Sequence, residues 1–134
     1  LFAGAAIYIT AVEHPARLAC GSELAVREFA PSYHRATLMQ APLALVGCAA
    51  GIVAGWQRSD LVLALGATLL GAVVPFTLAI MLPTNKRLLN PALDARSPAA
   101  RELLVRWGRL HAVRSVLGAA SFVSFLVRAL GLPF

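Results

Sequence analysis

The sequence predicts an all-α protein: a four-helix transmembrane bundle with a long fourth helix projecting into the cytoplasm. Three observations carry this. The 134 residues have a mean hydropathy of +0.75 and only 13% are charged, about half the share typical of a soluble domain. The apolar residues fall in long uninterrupted runs, and the charges are gathered between them. Basic residues stand at the ends of the runs, where they anchor helices to headgroups and set topology. The length suits a single domain, residues 1–134, with spans at about 1–13, 36–56, 61–83 and 110–132.

The first run, "LFAGAAIYITAV", has 12 residues, and a span needs about 20. The expectation is that the native chain begins earlier. The second run, "ATLMQAPLALVGCAAGIVAGW", carries one strongly polar residue, Gln40. The third runs from Leu61 to Pro83 and the fourth from Ala112 to about Leu132. Gly47, Gly51 and Gly55 recur at four-residue spacing, and Gly66, Gly71 and Gly118 stud the later spans. Small residues at such spacing let helices approach closely in lipid. Pro42 and Pro75 fall inside spans and predict kinks.

Between the spans, "SELAVREF" predicts a short helix capped by Ser22, with Pro31 and Ser32 punctuating the entry to span two. "SPAARELLVRW" predicts a helix start with Ser97 as N-cap and Pro98 at its first position. No proline follows until Pro133, so that helix would run about 50 Å and extend several turns beyond the bilayer.

The net charge of +6 does not indicate nucleic acid, because the basic residues sit at the ends of apolar runs. Loops 13–35 and 84–111 hold nine of the twelve Lys and Arg residues, against Arg58 and Arg128 on the other side. The positive-inside rule then puts both long loops in the cytoplasm. Cys20 lies in a polar segment and Cys48 in mid-span, so no disulfide is expected. No CxxC is present, which argues against a thiol oxidoreductase.

Polar chemistry converges on the cytoplasmic end. Span one ends in Glu13, His14 and Arg17, and span two opens with Tyr33, His34 and Arg35. Span three ends in Asn85, Lys86 and Arg87, and span four opens with Trp107, His111 and Arg114. The last three stand at i, i+4 and i+7 and share one helix face. Arg35, Lys86, Arg87, Arg106 and Arg109 read as headgroup residues. Arg114 lies inside an apolar run, where a bare charge is costly, and Glu13 is the expected counter-charge.

"LPTNKRLL" followed about twenty residues later by "RWGRLHAVRSVLG" resembles the anthrone oxygenase-like family of small four-helix membrane proteins. "FAPSYHRATLMQAPLA" is similar to that family's entry to its second span. The pattern pairs Pro83-x-Asn85 with Trp107, His111 and Arg114; the short first span departs from it. The resemblance implies oxidation of an anthrone to an anthraquinone with O2 and no organic cofactor; the expected location of the chain is a bacterial inner membrane, with both long loops cytoplasmic. Such a reaction needs a base, a donor for the developing oxyanion and an apolar slot. His111 is the expected base, Arg114 and Asn85 the oxyanion donors, and Trp107 the stacking platform. His14 is a second catalytic candidate, and Arg17 and Tyr33 are further substrate-binding candidates.

Two other functions stay open. Metal or haem could be held by His14, His34, His111 and Glu13, though no HxxH or HxxxH pair lies on one helix. Alternatively the chain is an accessory subunit of a larger membrane complex. The expected partners are the lipid bilayer, a small lipophilic substrate, and either further copies of the chain or such a complex.

Overall fold

The computed structural model describes residues 1–132. Residues 133 and 134, the end of the predicted domain with its Pro133, lie outside the described residues. The described chain is helical apart from turns, in four rods packed side by side.

The first rod comprises α1 (Phe2–Tyr8), a π-helical turn (Ile9–Glu13) and α2 (His14–Ala19). The second is α3 (Ser22–Arg58). The third comprises α4 (Leu61–Phe76), a second π turn (Thr77–Met81) and α5 (Leu82–Leu88), and the fourth is α6 (Pro98–Ala129). The second, third and fourth rods are long and apolar enough to cross a membrane, consistent with an integral membrane protein. Leu45, Val46, Ile52 and Val116, each more than half exposed, point outward from them.

The two π turns share a cause. Each ends two residues before a proline, Pro15 and Pro83. A proline ring in a regular helix collides with the carbonyl four residues back. Widening the preceding turn relieves this: the His14 N–H bonds to the Ile9 carbonyl and the Leu82 N–H to the Thr77 carbonyl, each five residues back. Backbone angles stay helical through both junctions, so neither rod breaks. Pro42 and Pro75, which the sequence also singles out, lie inside α3 and α4.

Two expectations between spans one and two are corrected. "SELAVREF" is not a separate helix, and Pro31–Ser32 does not end one. Both belong to α3, 37 residues long, about 55 Å at 1.5 Å per residue. The loop expected over residues 13–35 shrinks to the turn at Cys20 and Gly21. Ser22 is not the cap: Gly21 is, with φ of 90°, a conformation that favours glycine. The composition shifts from polar to apolar residues within one continuous helix.

The fourth rod starts as the sequence predicts. The Ser97 side chain accepts from the Ala100 N–H at 3.2 Å, and Pro98 opens the helix. It ends at Ala129, short of Leu132, because Gly131 turns the chain at φ of 66°. The Gly131 and Leu132 amides bond back to the carbonyls of Arg128 and Val127 at 3.3 and 3.1 Å, a Schellman closure.

The glycines singled out within spans two, three and four act as packing surfaces, as expected. The Phe125 ring fills the hollow between α3 and α4, so a Cβ at Gly51 or Gly66 would stand 2.7 or 2.9 Å from it. The Ser121 hydroxyl donates to the Gly66 carbonyl at 2.7 Å across the same contact. One buried cluster at this end contains Phe2, Ala6, Ala44, Leu70 and Val73. A second, around Phe29, Met81, Leu104 and Trp107, fills the polar end. Cys20 and Cys48 are free thiols.

Candidate functional site

Between these two clusters lies a cavity of about 180 Å³ reached by all four rods. Ile9, Phe29, Ala44, Val73, Met81 and Leu82 make its walls apolar. Thr37, Ala41 and Leu78 line it while being exposed, which places its mouth on the flank between α3 and the third rod. Both π turns contribute: Ile9 and Glu13 from one, Thr77, Leu78 and Met81 from the other.

Six of the seven predicted site residues line this cavity: His111, Arg114, Asn85, Trp107, Arg17 and Tyr33. Trp107 and His111, one turn apart on α6, stack with ring centroids 4.8 Å apart at 26°. Phe29 meets Trp107 edge-on at 5.4 Å, and Tyr33 stacks on Phe29 at 5.7 Å. The result is a continuous aromatic wall beside the histidine.

His14 is buried behind that wall and does not line the cavity. Its ring lies 5.0 Å from that of Trp107, and its Nε2 lies 3.0 Å from the Leu104 carbonyl. A carbonyl only accepts, so Nε2 carries the proton and Nδ1 the lone pair. That Nδ1 is buried without a partner. His34 is exposed on α3, its ring edge-on to Tyr33. Among the described residues, no group of three His, Cys, Asp or Glu side chains is placed to hold a metal ion.

The expected Glu13–Arg114 pair does not form. Glu13 binds Arg17, one turn away on its own rod, and the Ser32 hydroxyl donates to the same carboxylate at 2.9 Å. Glu28 also pairs with Arg17. An i,i+4 partner on one helix is nearer than one across the bundle. Arg114 instead donates from Nη2 to Gln40 Oε1 at 3.0 Å, and its guanidinium lies 5.7 Å from the centre of the Phe2 ring. Among the described residues it has no acidic partner.

Several polar atoms around the cavity are buried without a hydrogen-bond partner: Arg114 Nε, Gln40 Nε2, Asn85 Oδ1 and Trp107 Nε1. Native proteins leave few such groups. Four gathered at one apolar-walled cavity form a set of donors and an acceptor available to a ligand.

The sequence reading missed Gln40, Thr10 and Ser115 as site residues. Gln40, 2% exposed, had a signal: it is the lone strongly polar residue of its run. Ser115 stands four residues after His111 and Thr10 faces it across the rods, with Thr10 Oγ1 2.9 Å from His111 Nδ1.

A family model described as anthrone oxygenase matches residues 29–124. An anthrone oxygenase of Aspergillus fumigatus, tpcL, is 51% identical over 49 residues, covering 34% of this chain and 30% of the relative. The match therefore spans less than a third of that curated relative's length. No solved structure matches the chain. With most of its length matched by one family model, and Asn85, Trp107, His111 and Arg114 brought to one cavity, the chain belongs to the anthrone oxygenase family.

Proposed function

We propose that this chain oxidises a flat, lipophilic hydroxyaromatic ketone of the anthrone type with O2 inside the membrane. The observation that carries the reading is Arg114: a guanidinium without an acidic partner among the described residues, beside the Trp107–His111 stack at an apolar-walled cavity. A cation so placed is costly unless an anion arrives to meet it. An anthrone becomes such an anion when its methylene loses a proton.

In this reading His111 takes that proton through its ring nitrogen. Arg114 pairs with the oxyanion that forms at the ketone, most strongly in a low-dielectric site. Asn85 Oδ1 accepts from a phenolic hydroxyl, and Trp107 stacks on the rings. The electron pair of the former C–H bond then forms a C–O bond to O2, and the imidazolium returns its proton to the peroxide. Loss of the second methylene proton breaks the O–O bond. Anthrone and O2 thus become anthraquinone and water, and the equation balances without an organic cofactor. The substrate enters from the bilayer through the mouth at Thr37, Ala41 and Leu78. The basic polar end faces the cytoplasm.

Purified protein in lipid nanodiscs, supplied with anthrone, tests this by O2 uptake and quinone absorbance. Wild-type protein should turn over, and His111→Ala should slow it about a hundredfold or more. A His111→Ala rate equal to wild type would sink the reading. Metal analysis of the active preparation separates it from a metal- or haem-dependent reaction. Absence of turnover together with a stoichiometric co-purifying partner would favour an accessory subunit.

A further inference from the structure

The hydroxyls of Thr10 and Ser115 form a chain that ends on His111. Thr10 Oγ1 lies 2.9 Å from His111 Nδ1 and 2.7 Å from Ser115 Oγ. Ser115 Oγ lies 2.8 Å from the Ala6 carbonyl oxygen. Ser115 is buried and Thr10 half-buried. Three close contacts in a row need three protons, and a carbonyl supplies none.

One arrangement satisfies all three. Ser115 donates to the Ala6 carbonyl, Thr10 donates to Ser115, and His111 Nδ1–H donates to Thr10. In the reverse arrangement Thr10 donates to His111 Nδ1. The single Ser115 proton must then fill the contact with Thr10, which leaves two oxygens facing each other at 2.8 Å with no hydrogen between them. Leaving a close polar contact unfilled inside a bundle costs the desolvation of both groups with no hydrogen bond in return. The tautomer of one histidine is thus set by a backbone carbonyl two hydroxyls away.

We infer that Thr10 and Ser115 are positioning residues: they hold His111 with its proton on Nδ1, leaving Nε2 as the lone pair offered to the cavity. This rests on the proposed role of His111 as base, and it specifies which atom takes the proton. A neutral imidazole accepts through one nitrogen only, and the hydrogen bond at the other nitrogen decides which. His14 is held the opposite way, with Nε2 donating to the Leu104 carbonyl. His14 and His111 therefore carry opposite tautomers.

The experiment is nitrogen NMR of the full chain in nanodiscs with 15N-labelled histidine, at about pH 8, above the ordinary histidine range of about 6.5. With three histidines in the sequence the signals are assignable by single substitutions. Wild-type His111 should show a protonated Nδ1 and an unprotonated Nε2, and His14 the reverse. Thr10→Val should move the His111 proton to Nε2, and Thr10→Ser should keep it on Nδ1. Ser115→Ala, which does not touch the ring nitrogen, should also move it, because Thr10 is then free to donate to His111. The His14 pattern should stay fixed throughout. A wild-type His111 protonated at Nε2, or an Nδ1–H that survives both Thr10→Val and Ser115→Ala, overturns the inference. If Thr10→Val disturbs His14 as well, Ser115→Ala decides by the same criterion. Turnover of anthrone should fall about tenfold or more in both variants with KM little changed, and recover in Thr10→Ser. A wild-type rate in His111→Ala sinks the proposed reaction while leaving the NMR result standing, so the two failures are distinct.

Discussion

His14 lies across the backbone of Gly108. A Cβ at position 108 would stand 2.5 Å from His14 Nε2 and 2.6 Å from Cδ2. The missing side chain is what allows Nε2 to reach the Leu104 carbonyl on the same face of α6. His14 in turn backs Trp107, so one glycine sets the depth of the aromatic wall.

Gly108→Ala should therefore destabilise the protein even though alanine favours a helix by about 1 kcal/mol. Overpacking a fitted contact costs about 1–3 kcal/mol, and the ring has no simple way to yield without losing its hydrogen bond. Gly4→Ala is the control: nothing lies within 4 Å of a Cβ there, so the propensity gain should survive. Thermal unfolding in one detergent should order the three proteins as Gly4→Ala at or above wild type, and Gly108→Ala below it. Equal midpoints for the two alanine variants would contradict the contact.

How much of this was legible in the sequence depends on what kind of residue carries it. Trp107, His111, Arg114 and Asn85 stand out because polar or aromatic chemistry at the edge of an apolar run is expensive and therefore conspicuous. Thr10 and Ser115 do not stand out. Hydroxyl residues within helices commonly bond their own backbone, as Thr68, Thr77 and Ser124 do here to carbonyls four residues back. Nothing in the sequence separates those from a hydroxyl that reaches another helix. Helix number was readable from hydropathy, and the Ser97–Pro98 signal marked the start of α6, but the start of α3 was not readable. Pro31 lies exposed within α3, where its missing N–H and ring are tolerated, so the polar stretch around it reads falsely as a loop.

Arg114 sets stability against function. Its guanidinium has Gln40 as a hydrogen-bond partner but no carboxylate among the described residues. Arg114→Met combined with Gln40→Leu, which leaves no orphaned partner behind, should stabilise the fold by on the order of 1 kcal/mol by removing a desolvated charge, and should abolish turnover of anthrone. Arg114→Lys should not restore activity, because an ammonium lacks the planar fork of donors. A double variant less stable than wild type would mean that the charge is already compensated in the resting protein.

Trp107 touches His14, His111 and Phe29 at once. Trp107→Ala should cost about 3–5 kcal/mol and threaten the fold. Trp107→Phe separates roles better: it keeps a ring against His111 and removes the buried, unpartnered Nε1–H. The Phe variant should fold, by circular dichroism and size exclusion, and its KM for anthrone should rise several-fold more than its kcat falls. A kcat loss with KM unchanged would assign the tryptophan to His111 rather than to substrate.

The far end of the bundle has its own electrostatic latch. Asp60 caps α4, with Oδ1 accepting from the Val62 and Leu63 amides at 2.9 and 3.3 Å. Its Oδ2 accepts from Arg128 Nε at 2.6 Å, joining the short α3–α4 turn to the end of α6. The Arg128 hydrogen bond, aided by the two backbone amides, holds this carboxyl below its ordinary value of 3.8. A carboxylate depressed in the folded state stabilises the fold above its unfolded value and stops doing so as pH falls through the folded one. Asp60→Asn keeps a good cap and removes the charge. Wild type should therefore be more stable than Asp60→Asn at neutral pH, and the gap should close below about pH 4. Arg128→Gln should show the same convergence, and it should leave anthrone turnover unchanged because the cavity lies at the other end. Melting curves for the three proteins from neutral to acid pH check this; a gap independent of pH would mean that the latch works by packing rather than by charge.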